Sequence, residues 1–360
     1  MSLIPIIGDL HFGARDDNQN ILQQQREYFQ NEFFPWLDQY PIDHILCTGD
    51  VFDRRKYVNY NTFFQTKDFF FDELVKRNIK LTVILGNHDV MYKNTNRVNS
   101  PHLLLSERYD NITVVDKPQV ISIDKSKVAM VPWINKENYN ECVTFLQNNK
   151  DVDLLLGHFE IQGFEIQTGH FSKTGLSSET FKGYPLVISG HFHKPSYSGN
   201  IWYPGSLFEF TWNDYGDEKG FVVYDTETGE TQKKNNPYQL FHKVFYNDSD
   251  EFELKKKHNT NYLKQFEGKF VKVIVQERND RQKFESFLSD LYSHNPYDIQ
   301  IVESNDQLEL SEDEVNLETL STIEVIESTI DNMQEMNVSK PDIKKLFRDL
   351  YNEALQVEAE

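Results

Sequence analysis

The chain has 360 residues, of which 38% are hydrophobic and 26% charged, and a net charge of −20. This length predicts two or more folded domains, and the composition is that of a globular protein with a large core. All its apolar segments are shorter than the roughly 18 residues that a membrane span needs, which excludes an integral membrane protein. The N-terminus shows no signal-peptide pattern, so we expect a cytoplasmic protein.

The negative charge is concentrated near the C-terminal end. Residues 301–360 contain 16 acidic and 4 basic side chains and supply −12 of the net charge of −20. Because the distribution of charge matters more than its total, the acidic balance does not exclude a nucleic-acid partner. The two cysteines, Cys47 and Cys142, indicate no disulfide framework, and Cys47 lies in an apolar run where we expect a small buried side chain.

Residues 1–225 alternate short apolar runs with polar or amphipathic stretches, a pattern typical of repeated strand and helix units. Helical spacing of apolar residues predicts helices within 19–39 and 62–78. Strands are predicted at 112–115, 127–132 and 220–225. Five further strands share one arrangement, an apolar run that leads into glycine and then at once into a side chain able to bind metal: Ile4 to His11, His44 to Asp50, Leu81 to Asp89, Leu154 to His158 and Leu186 to His193.

These five segments predict one site for metal ions. In an open α/β sheet the loops outside the carboxyl ends of the strands converge, so ligands that are distant in sequence can meet there. The glycines would let the backbone turn sharply and leave room for an ion. A carboxylate such as Asp50 can bridge two ions, and imidazole with oxygen ligands but no thiolate favours manganese, iron or zinc. The predicted ligands are Asp9, His11, Asp50, Asn87, His158, His191 and His193.

The parts of this pattern differ in specificity. Gly-Asp often marks an ordinary turn, and a lone histidine is usually a core or surface residue. GNHD at 86–89 and GHFH at 190–193 are stronger, because two metal-binding groups so close together after a buried strand have few structural uses. The ordered set of five favours a catalytic site.

The second part of the chain predicts smaller units. A turn at 225–229 would join the strand 220–225 to another strand, and the polar stretch 231–239 indicates a domain boundary. Alternating residues at 269–277, followed by Phe284, Phe287, Leu288 and Leu291 at helical spacing, predict a small α+β unit. The acidic stretch 303–314 is typical of a solvated tether.

Two amphipathic helices are predicted after the tether. They are too small for a core of their own, so they either pack on the body of the protein or bind a partner. The predicted domains are therefore a main domain, a small α+β domain, an acidic linker and a helical segment, at 1–235, 236–302, 303–316 and 317–360.

The motifs DxH, GDxxD, GNHD, GH and GHxH occur here in the order seen in the calcineurin-like metallophosphoesterases, which this chain resembles. The resemblance implies an α/β fold of two facing β-sheets flanked by helices, with a small α+β capping domain and a C-terminal helical pair. GDLHFG (8–13), GNHDVMYKN (86–94) and SGHFHKP (189–195) are most similar to double-strand-break repair nucleases of the SbcD type and to their phage recombination-endonuclease counterparts.

The resemblance implies roles for single residues. One ion would be held by Asp9, His11, Asp50 and His193, and the other by Asp50, Asn87, His158 and His191. His88 would face the scissile phosphate and stabilise charge or protonate the leaving oxygen, with Asp89 orienting it. Asp53 stands where many relatives have histidine, and its carboxylate would orient His88 or a water. The two divalent ions would be Mn²⁺.

The resemblance also implies partners. DNA would be contacted by residues in the loops after the second and third strands: Arg54, Arg55, Lys56, Tyr92, Lys93 and Arg97. An SbcC-type coiled-coil ATPase would bind the tail through Ile343, Leu346 and Leu350. A homodimer would form through the helices within 19–39 and 62–78, because their aromatic residues exceed what one helix face needs for its own core.

Three functions fit these observations. The first is a two-metal DNA exonuclease and single-strand endonuclease, acting in recombination and double-strand-break repair as the nuclease subunit of an SbcC–SbcD-like complex. The second is a phosphoesterase of the same fold that acts on a small molecule or a phosphoprotein, which leaves the tail unexplained. The third is a non-catalytic scaffold for the ATPase, against which the complete ligand set argues.

Overall fold

Two six-stranded β-sheets face each other in the computed structural model of the chain, which describes residues 3–249 and 259–303, together with 330, 339, 340, 343–347 and 350. The strands are β1 (Leu3–Ile7), β2 (His44–Cys47), β3 (Lys80–Ile84), β4 (Val90–Tyr92), β5 (Thr95–Asn99), β6 (Ile112–Val115), β7 (Gln119–Ile123), β8 (Ser126–Val131), β9 (Leu154–His158), β10 (Glu165–Gln167), β11 (His170–Phe171), β12 (Val187–Gly190), β13 (Ser196–Ser198), β14 (Ile201–Tyr203), β15 (Gly220–Asp225), β16 (Thr231–Asn235), β17 (Phe241–Asn247), β18 (Phe270–Glu277) and β19 (Asp298–Glu303).

The first sheet has the order β16-β15-β1-β2-β3-β6, and the second has the order β13-β14-β12-β9-β8-β7. In the first sheet β1, β2, β3 and β6 run parallel, and in the second β14, β12, β9 and β8 do so. The parallel strands at the centre of each sheet therefore end at one edge. This agrees with the predicted α/β fold of two facing sheets.

Helices cover the outer faces of the sheets. The α-helices are Ala14–Asp17, Gln19–Tyr28, Phe34–Leu37, Tyr60–Thr66, Asp72–Lys76, Tyr139–Asn148, Thr260–Leu263 and Arg281–Tyr292. The π-helical segments are Phe29–Phe33, Lys67–Phe71 and His102–Ser106, and the 3₁₀ segments are Ser178–Phe181, Trp212–Asp214 and Lys264–Phe266. No helix within the described ranges is long and apolar enough to cross a membrane.

Side-chain alternation divides the core into layers, because successive residues of a strand point to opposite faces. Ile6 of β1 and Met130 of β8 lie between the two sheets. Their neighbours Ile7 and Val131 lie on the outer faces, where helices cover them. Each such fully buried apolar side chain contributes about 1.5–3 kcal/mol to stability. The layers hold the strand ends, and hence the loops after them, in place.

Aromatic residues of the long helices belong mainly to this core. Phe29, Phe33, Phe34 and 69–71 are almost completely buried. The prediction that these aromatic residues exceed the needs of the core is therefore wrong, since the outer face of the first sheet takes them up. Phe64, in contrast, is 70% exposed and does not belong to this core.

The second part of the chain forms a third sheet. Its order is β17-β18-β19 with all strands parallel, and its core includes Phe284, Phe287 and Leu291 of the helix Arg281–Tyr292. This sheet and helix form a small α+β unit. The polar stretch 231–239 begins with a strand, because Thr231–Asn235 pairs with β15 at the edge of the first sheet. The tether at 303–316 falls almost entirely outside the described residues.

Candidate metal centre

The seven predicted ligands come together where the two sheets meet. They follow or end β1, β2, β3, β9 and β12, and each is 7% exposed or less. Two triads have ligand atoms within 4.8 Å of one another: Asp9, His11 and His193, and Asp9, Asp50 and His158. The convergence of loops predicted from the sequence is therefore observed.

Ligand atoms from the two sheets approach each other closely. His158 Nε2 lies 2.8 Å from Asn87 Oδ1 and 3.2 Å from Asp50 Oδ2. His193 Nε2 lies 3.0 Å from His11 Nε2. In each of these contacts the first atom comes from the second sheet and the other from the first sheet. Neither sheet carries the site alone.

The glycines before the ligands are needed mainly because a side chain would not fit there, and less because of their backbone conformation. A Cβ at Gly8 would lie 1.8 Å from Thr48 Oγ1, and one at Gly86 would lie 2.1 Å from Asp50 Oδ1. Of the five glycines that precede the ligands, only Gly49 has a positive φ, at 101°. The sharp turns expected at glycine are therefore found mostly one residue later or beyond.

Several ligand residues carry the unusual backbone conformation themselves. Asp9, His11, Asp50 and His191 have φ values of 49°, 42°, 52° and 96°. Non-glycine residues with positive φ cost about 1–3 kcal/mol each and cluster at functional sites. Surrounding hydrogen bonds offset this cost. The backbone N–H of His191, for example, donates to Asp9 Oδ1 at 3.0 Å.

His88 lies beside the ligands, and its ring, His11 and Asp53 form a further group whose ligand atoms lie within 4.8 Å of one another. Its ring is 4.8 Å from that of His11, and its Nδ1 hydrogen-bonds the main-chain carbonyl of Asp53. Its backbone N–H donates to Asp50 Oδ1 at 2.7 Å. The main chain of Asp53, rather than its carboxylate, thus orients the His88 ring. The carboxylate lies 3.2 Å from His11 Nδ1.

Asp89 contacts main chain on both sides of the site. Its carboxylate accepts from the backbone N–H groups of Gly86, Asp50 and Val51 at 2.8, 2.8 and 2.9 Å. Burial raises the pKa of Asp89 to about 6, against the effect of these hydrogen bonds. Asp89 therefore links the loop after β3 to the loop after β2. This contact holds Asp50, the residue expected to bridge two ions, in place.

The carboxylates of the site attract positive charge. Burial opposes protonation of His11, but the hydrogen bond to Asp53 and the charge of Asp50 raise the His11 pKa to about 10. Burial is likewise outweighed at His158, where Asp50 raises the pKa to about 9. Burial and the charge of His11 hold the pKa of His193 well below its usual range. Buried carboxylates that draw protons onto imidazoles would also favour divalent cations.

The donor atoms fit metal ions. His158 Nδ1 contacts the carbonyl of Thr48 at 2.8 Å, and a proton on Nδ1 would leave the lone pair of Nε2 directed at oxygen atoms. His11 and His193 present Nε2 atoms to each other, and the buried Nδ1 of His193 has no hydrogen-bond partner among the described residues. A divalent cation bound here would take the place of the proton between these two nitrogens. Imidazole nitrogen with carboxylate and amide oxygen suits Mn, Fe or Zn.

The predicted DNA contacts lie in two places. Arg54, Arg55 and Lys56 follow β2, whereas Tyr92, Lys93 and Arg97 belong to the hairpin β4-β5. Burial lowers the pKa of His191 well below its usual range, and the charge of Arg55 adds to this shift, so Arg55 acts on the centre electrostatically. Arg97 forms an ion pair with Glu137. Arg54 contacts Asp16 and lies over the Tyr57 ring.

Three supporting residues were missed in the sequence. Trp133 lies against His158 and His191, with ring centroids 6.0 and 5.3 Å apart. Phe210 packs on His11 and His193 in the same way. Buried Lys219 donates to the carbonyl of His193 at 2.8 Å. VPWI at 131–134 and YPGSLF at 203–208 indicate this neighbourhood in the sequence, but no spacing assigns roles to these side chains.

Comparison with known proteins agrees with this geometry. The family model described as calcineurin-like phosphoesterase matches residues 3–195, more than half of the chain. The chain belongs to the calcineurin-like phosphoesterase family. The predicted family and fold are confirmed, and the family implies divalent metal ions at the centre.

Two curated relatives extend the comparison. The chain is 30% identical to exonuclease subunit 1 of Enterobacteria phage T4 over 367 aligned positions, which cover 98% of each protein. It is 24% identical to the SbcD subunit of the nuclease SbcCD of Staphylococcus epidermidis over 250 positions, which cover 62% of this chain and 65% of that protein. The similarity to the phage protein thus spans all parts of the chain.

Proposed function

We propose that this phosphoesterase is a DNA nuclease with two divalent ions, the nuclease subunit of a recombination and repair complex. The observation that carries the proposal is the set of seven buried ligands that the two sheets bring together. The names of the two relatives, an exonuclease subunit and a nuclease subunit, support DNA as the substrate. This agrees with the metal-dependent nuclease predicted from the sequence.

One ion would be held by Asp9, His11, Asp50 and His193, and the other by Asp50, Asn87, His158 and His191. Two ions bound there would polarise the phosphoryl group, activate water and stabilise the leaving oxygen. Mn²⁺ is our proposed metal, since the ligands combine imidazole with oxygen. Asp50 is the proposed bridge because its Oδ2 faces both His158 and His11, at 3.2 and 3.7 Å.

His88 would act on the substrate and not on the ions. Because its Nδ1 is occupied by the Asp53 carbonyl, Nε2 is the atom that can exchange a proton with substrate. Protonated there, the ring would stabilise phosphate charge or donate to the leaving oxygen. The basic residues Arg54, Arg55, Lys56 and Lys93, with Tyr92 and Arg97, would hold DNA phosphates and stack bases.

One assay separates the candidate functions. The purified protein is incubated with Mn²⁺ and labelled single-stranded DNA, a nitrophenyl phosphodiester, or a phosphomonoester. A nuclease of the proposed kind cleaves the DNA strand both from its end and internally, and it also hydrolyses the diester. Cleavage of the phosphomonoester alone would support a phosphatase instead, and inactivity towards all three would support a scaffold.

The tail would bind the coiled-coil ATPase. The helical residues Leu346 and Leu350 are 57% and 51% exposed, and Ile343 is partly exposed. An apolar helical stripe of this kind suits a groove on another protein. Leu346→Asp should abolish co-purification with the ATPase while cleavage of short single strands persists, whereas Lys345→Asp in the same helix should not. Unchanged affinity of the Leu346 variant would contradict this part of the proposal.

A homodimer would use the helix Tyr60–Thr66, whose Tyr60 and Phe64 are 92% and 70% exposed. Phe64→Glu should yield monomers in sedimentation, while Phe171→Glu on another exposed aromatic residue should not. A wild-type monomer at micromolar concentration would contradict the dimer. The DNA substrate and the ATPase partner together favour the cytoplasm of a bacterial host as the place of action.

A further inference from the structure

A cavity of about 220 Å³ opens beside the metal centre. His158, a proposed ligand, forms part of its wall. The other residues that matter here are Trp133, Ile134, Tyr139, Glu160 and Leu176. The wall combines aromatic and aliphatic side chains with an imidazole and a carboxylate. The volume is large enough for one planar heterocycle, but the assigned ligands make no use of the space.

Trp133 lies between this cavity and the metal ligands. Its indole ring contacts the imidazoles of His158 and His191, and it also lines the cavity. A group bound in the cavity would therefore lie next to the phosphate that reacts at the centre. In a DNA strand, the group adjacent to a phosphate that can stack on aromatic side chains is a nucleobase.

The main chain of Trp133 is held on both sides. Its N–H donates to the carbonyl of Leu85 at 2.7 Å, and its carbonyl accepts from the side chains of Asn96 and Asn138 at 3.1 and 3.0 Å. Leu85 follows β3 of the first sheet, whereas Trp133 follows β8 of the second. The main chain of Trp133 is thereby fixed, and its indole packs on the His158 and His191 rings. An aromatic wall that is ordered before a ligand arrives lowers the entropy cost of binding.

The remaining wall suits a base better than a sugar or a phosphate. The Tyr139 side chain is 48% exposed and offers an aromatic surface on which a base can stack. The Glu160 carboxylate already accepts from the Thr174 hydroxyl, and a carboxylate has further acceptor sites for a base N–H or amino group. The same carboxylate would repel phosphate.

We infer that this cavity binds one unpaired nucleobase next to the scissile phosphate. The inference rests on the proposed nuclease function and adds a substrate requirement to it. A paired base is stacked within its duplex and must leave the stack before it can enter a pocket. The cavity would therefore favour single strands, frayed ends and unpaired loops over intact duplex.

The test compares two cavity variants with a control. Tyr139→Ala removes the exposed ring, and Leu176→Trp fills the space. Tyr292→Ala removes a tyrosine of similar exposure, 56%, from the helix Arg281–Tyr292. Each protein is assayed with Mn²⁺ on a labelled single strand, on strands with one abasic nucleotide on either side of the cleaved position, and on a nitrophenyl phosphodiester.

Both cavity variants should lose about ten-fold in kcat/KM on the normal strand, equivalent to about 1.4 kcal/mol. Hydrolysis of the nitrophenyl diester, which has no base, should match the wild type. For the wild type, one of the two abasic strands should be a poorer substrate than the normal strand. For Tyr139→Ala, that abasic strand and the normal strand should be cleaved equally well. The Tyr292→Ala protein should behave as the wild type throughout.

Three outcomes overturn the inference, and two of them concern the cavity variants. Either the cavity variants cleave the normal strand with wild-type kcat/KM, or they lose activity on the nitrophenyl diester to the same extent. Failure of the proposed function looks different, since the wild type would then leave every DNA strand intact. Wild-type cleavage that is indifferent to abasic positions would overturn the base pocket while the nuclease function stands.

Discussion

The two sheets contribute different chemistry to the same centre. The first supplies Asp9, Asp50 and Asn87 with one imidazole, whereas the proposed ligands of the second are all imidazoles. The first half also holds its loops together internally, through the Asp89 carboxylate and three backbone N–H groups. The second half is held against the first, since His158 contacts Thr48 and His191 contacts Asp9. The oxygen-rich half therefore supplies the negative charge of the centre, and the imidazole half would complete the coordination of bound ions.

Removal of the bridging candidate should have the largest effect. Asp50→Ala takes away the carboxylate that faces both halves and the acceptor of the His88 backbone N–H. We expect loss of bound metal and of nuclease activity to background. Metal analysis of the purified protein and the single-strand assay measure this, with exposed Asp151→Ala as control. An Asp50→Ala protein that retained two ions would show that the halves do not share this ligand.

His88→Ala should separate chemistry from metal binding. It removes a ring oriented by main chain, so DNA cleavage should be abolished while metal content stays near that of the wild type. His193→Ala, on the imidazole half, should lose both DNA cleavage and bound metal. If His88→Ala loses ions as severely as His193→Ala, then His88 is a ligand and its assigned role is wrong.

A smaller effect is expected from loss of Lys219, which supports His193 of the imidazole half. Lys219 Nζ contacts the carbonyl of His193 and the carboxylates of Asp214 and Asp217, at 2.8, 2.6 and 3.3 Å. Lys219→Met leaves Asp214 as a buried unpaired charge, which should lower the free energy of unfolding by about 3–5 kcal/mol. Loss of the support for His193 should weaken metal binding by about 10–100-fold.

Adding Asp214→Asn to Lys219→Met distinguishes these two effects. The double variant has no orphan carboxylate at that position, so chemical denaturation should show that part of the stability returns. Metal titration should show that the affinity does not return, because the His193 carbonyl still lacks its lysine. Full recovery of affinity would mean that Lys219 serves stability alone.

The smallest expected effect is on the pH dependence of stability, and it comes from Glu209, which is not one of the proposed ligands. Burial raises the pKa of Glu209 to about 7, against the backbone N–H groups of Phe241 and Leu240 that it binds. The folded state therefore keeps a proton that the unfolded state loses above its ordinary pKa of about 4.3. The stability from this group is complete below that pH and is lost as the pH rises to about 7.

Glu209→Gln should remove this dependence, because the amide oxygen can still accept the two N–H bonds but carries no charge. The melting temperature of the variant relative to wild type should rise between about pH 5 and about pH 8. The expected difference is at most about 3 kcal/mol, from 1.36 kcal/mol per pKa unit. A difference independent of pH would show that Glu209 ionises normally in the folded protein.

The grouping of the seven side chains could be predicted from the sequence because it depends on strand order and on the convergence of strand ends. The supporting contacts could not, because they depend on loop backbone. The carboxylate of Asp53 contacts His11 while its carbonyl orients His88, and no spacing of residues shows this. Likewise, Asp89 binds backbone N–H groups of two separate loops.

The helices and the edge strand are harder to predict for a different reason. A count of phenylalanines does not reveal how much sheet surface must be covered, so it predicts an interface for Phe29 and Phe70 although both are 0% exposed. Thr231–Asn235 lies at the edge of its sheet and has no apolar residue, so it shows no strand pattern. Its pairing with β15 defines it instead.

Anomalous diffraction from crystals of the protein grown with Mn²⁺ would show whether the two sheets together hold two divalent ions. We predict two peaks, one among Asp9, His11, Asp50 and His193 and the other among Asp50, Asn87, His158 and His191, with Asp50 touching both. A single peak, or two peaks that are both confined to the ligands of one sheet, would contradict the account.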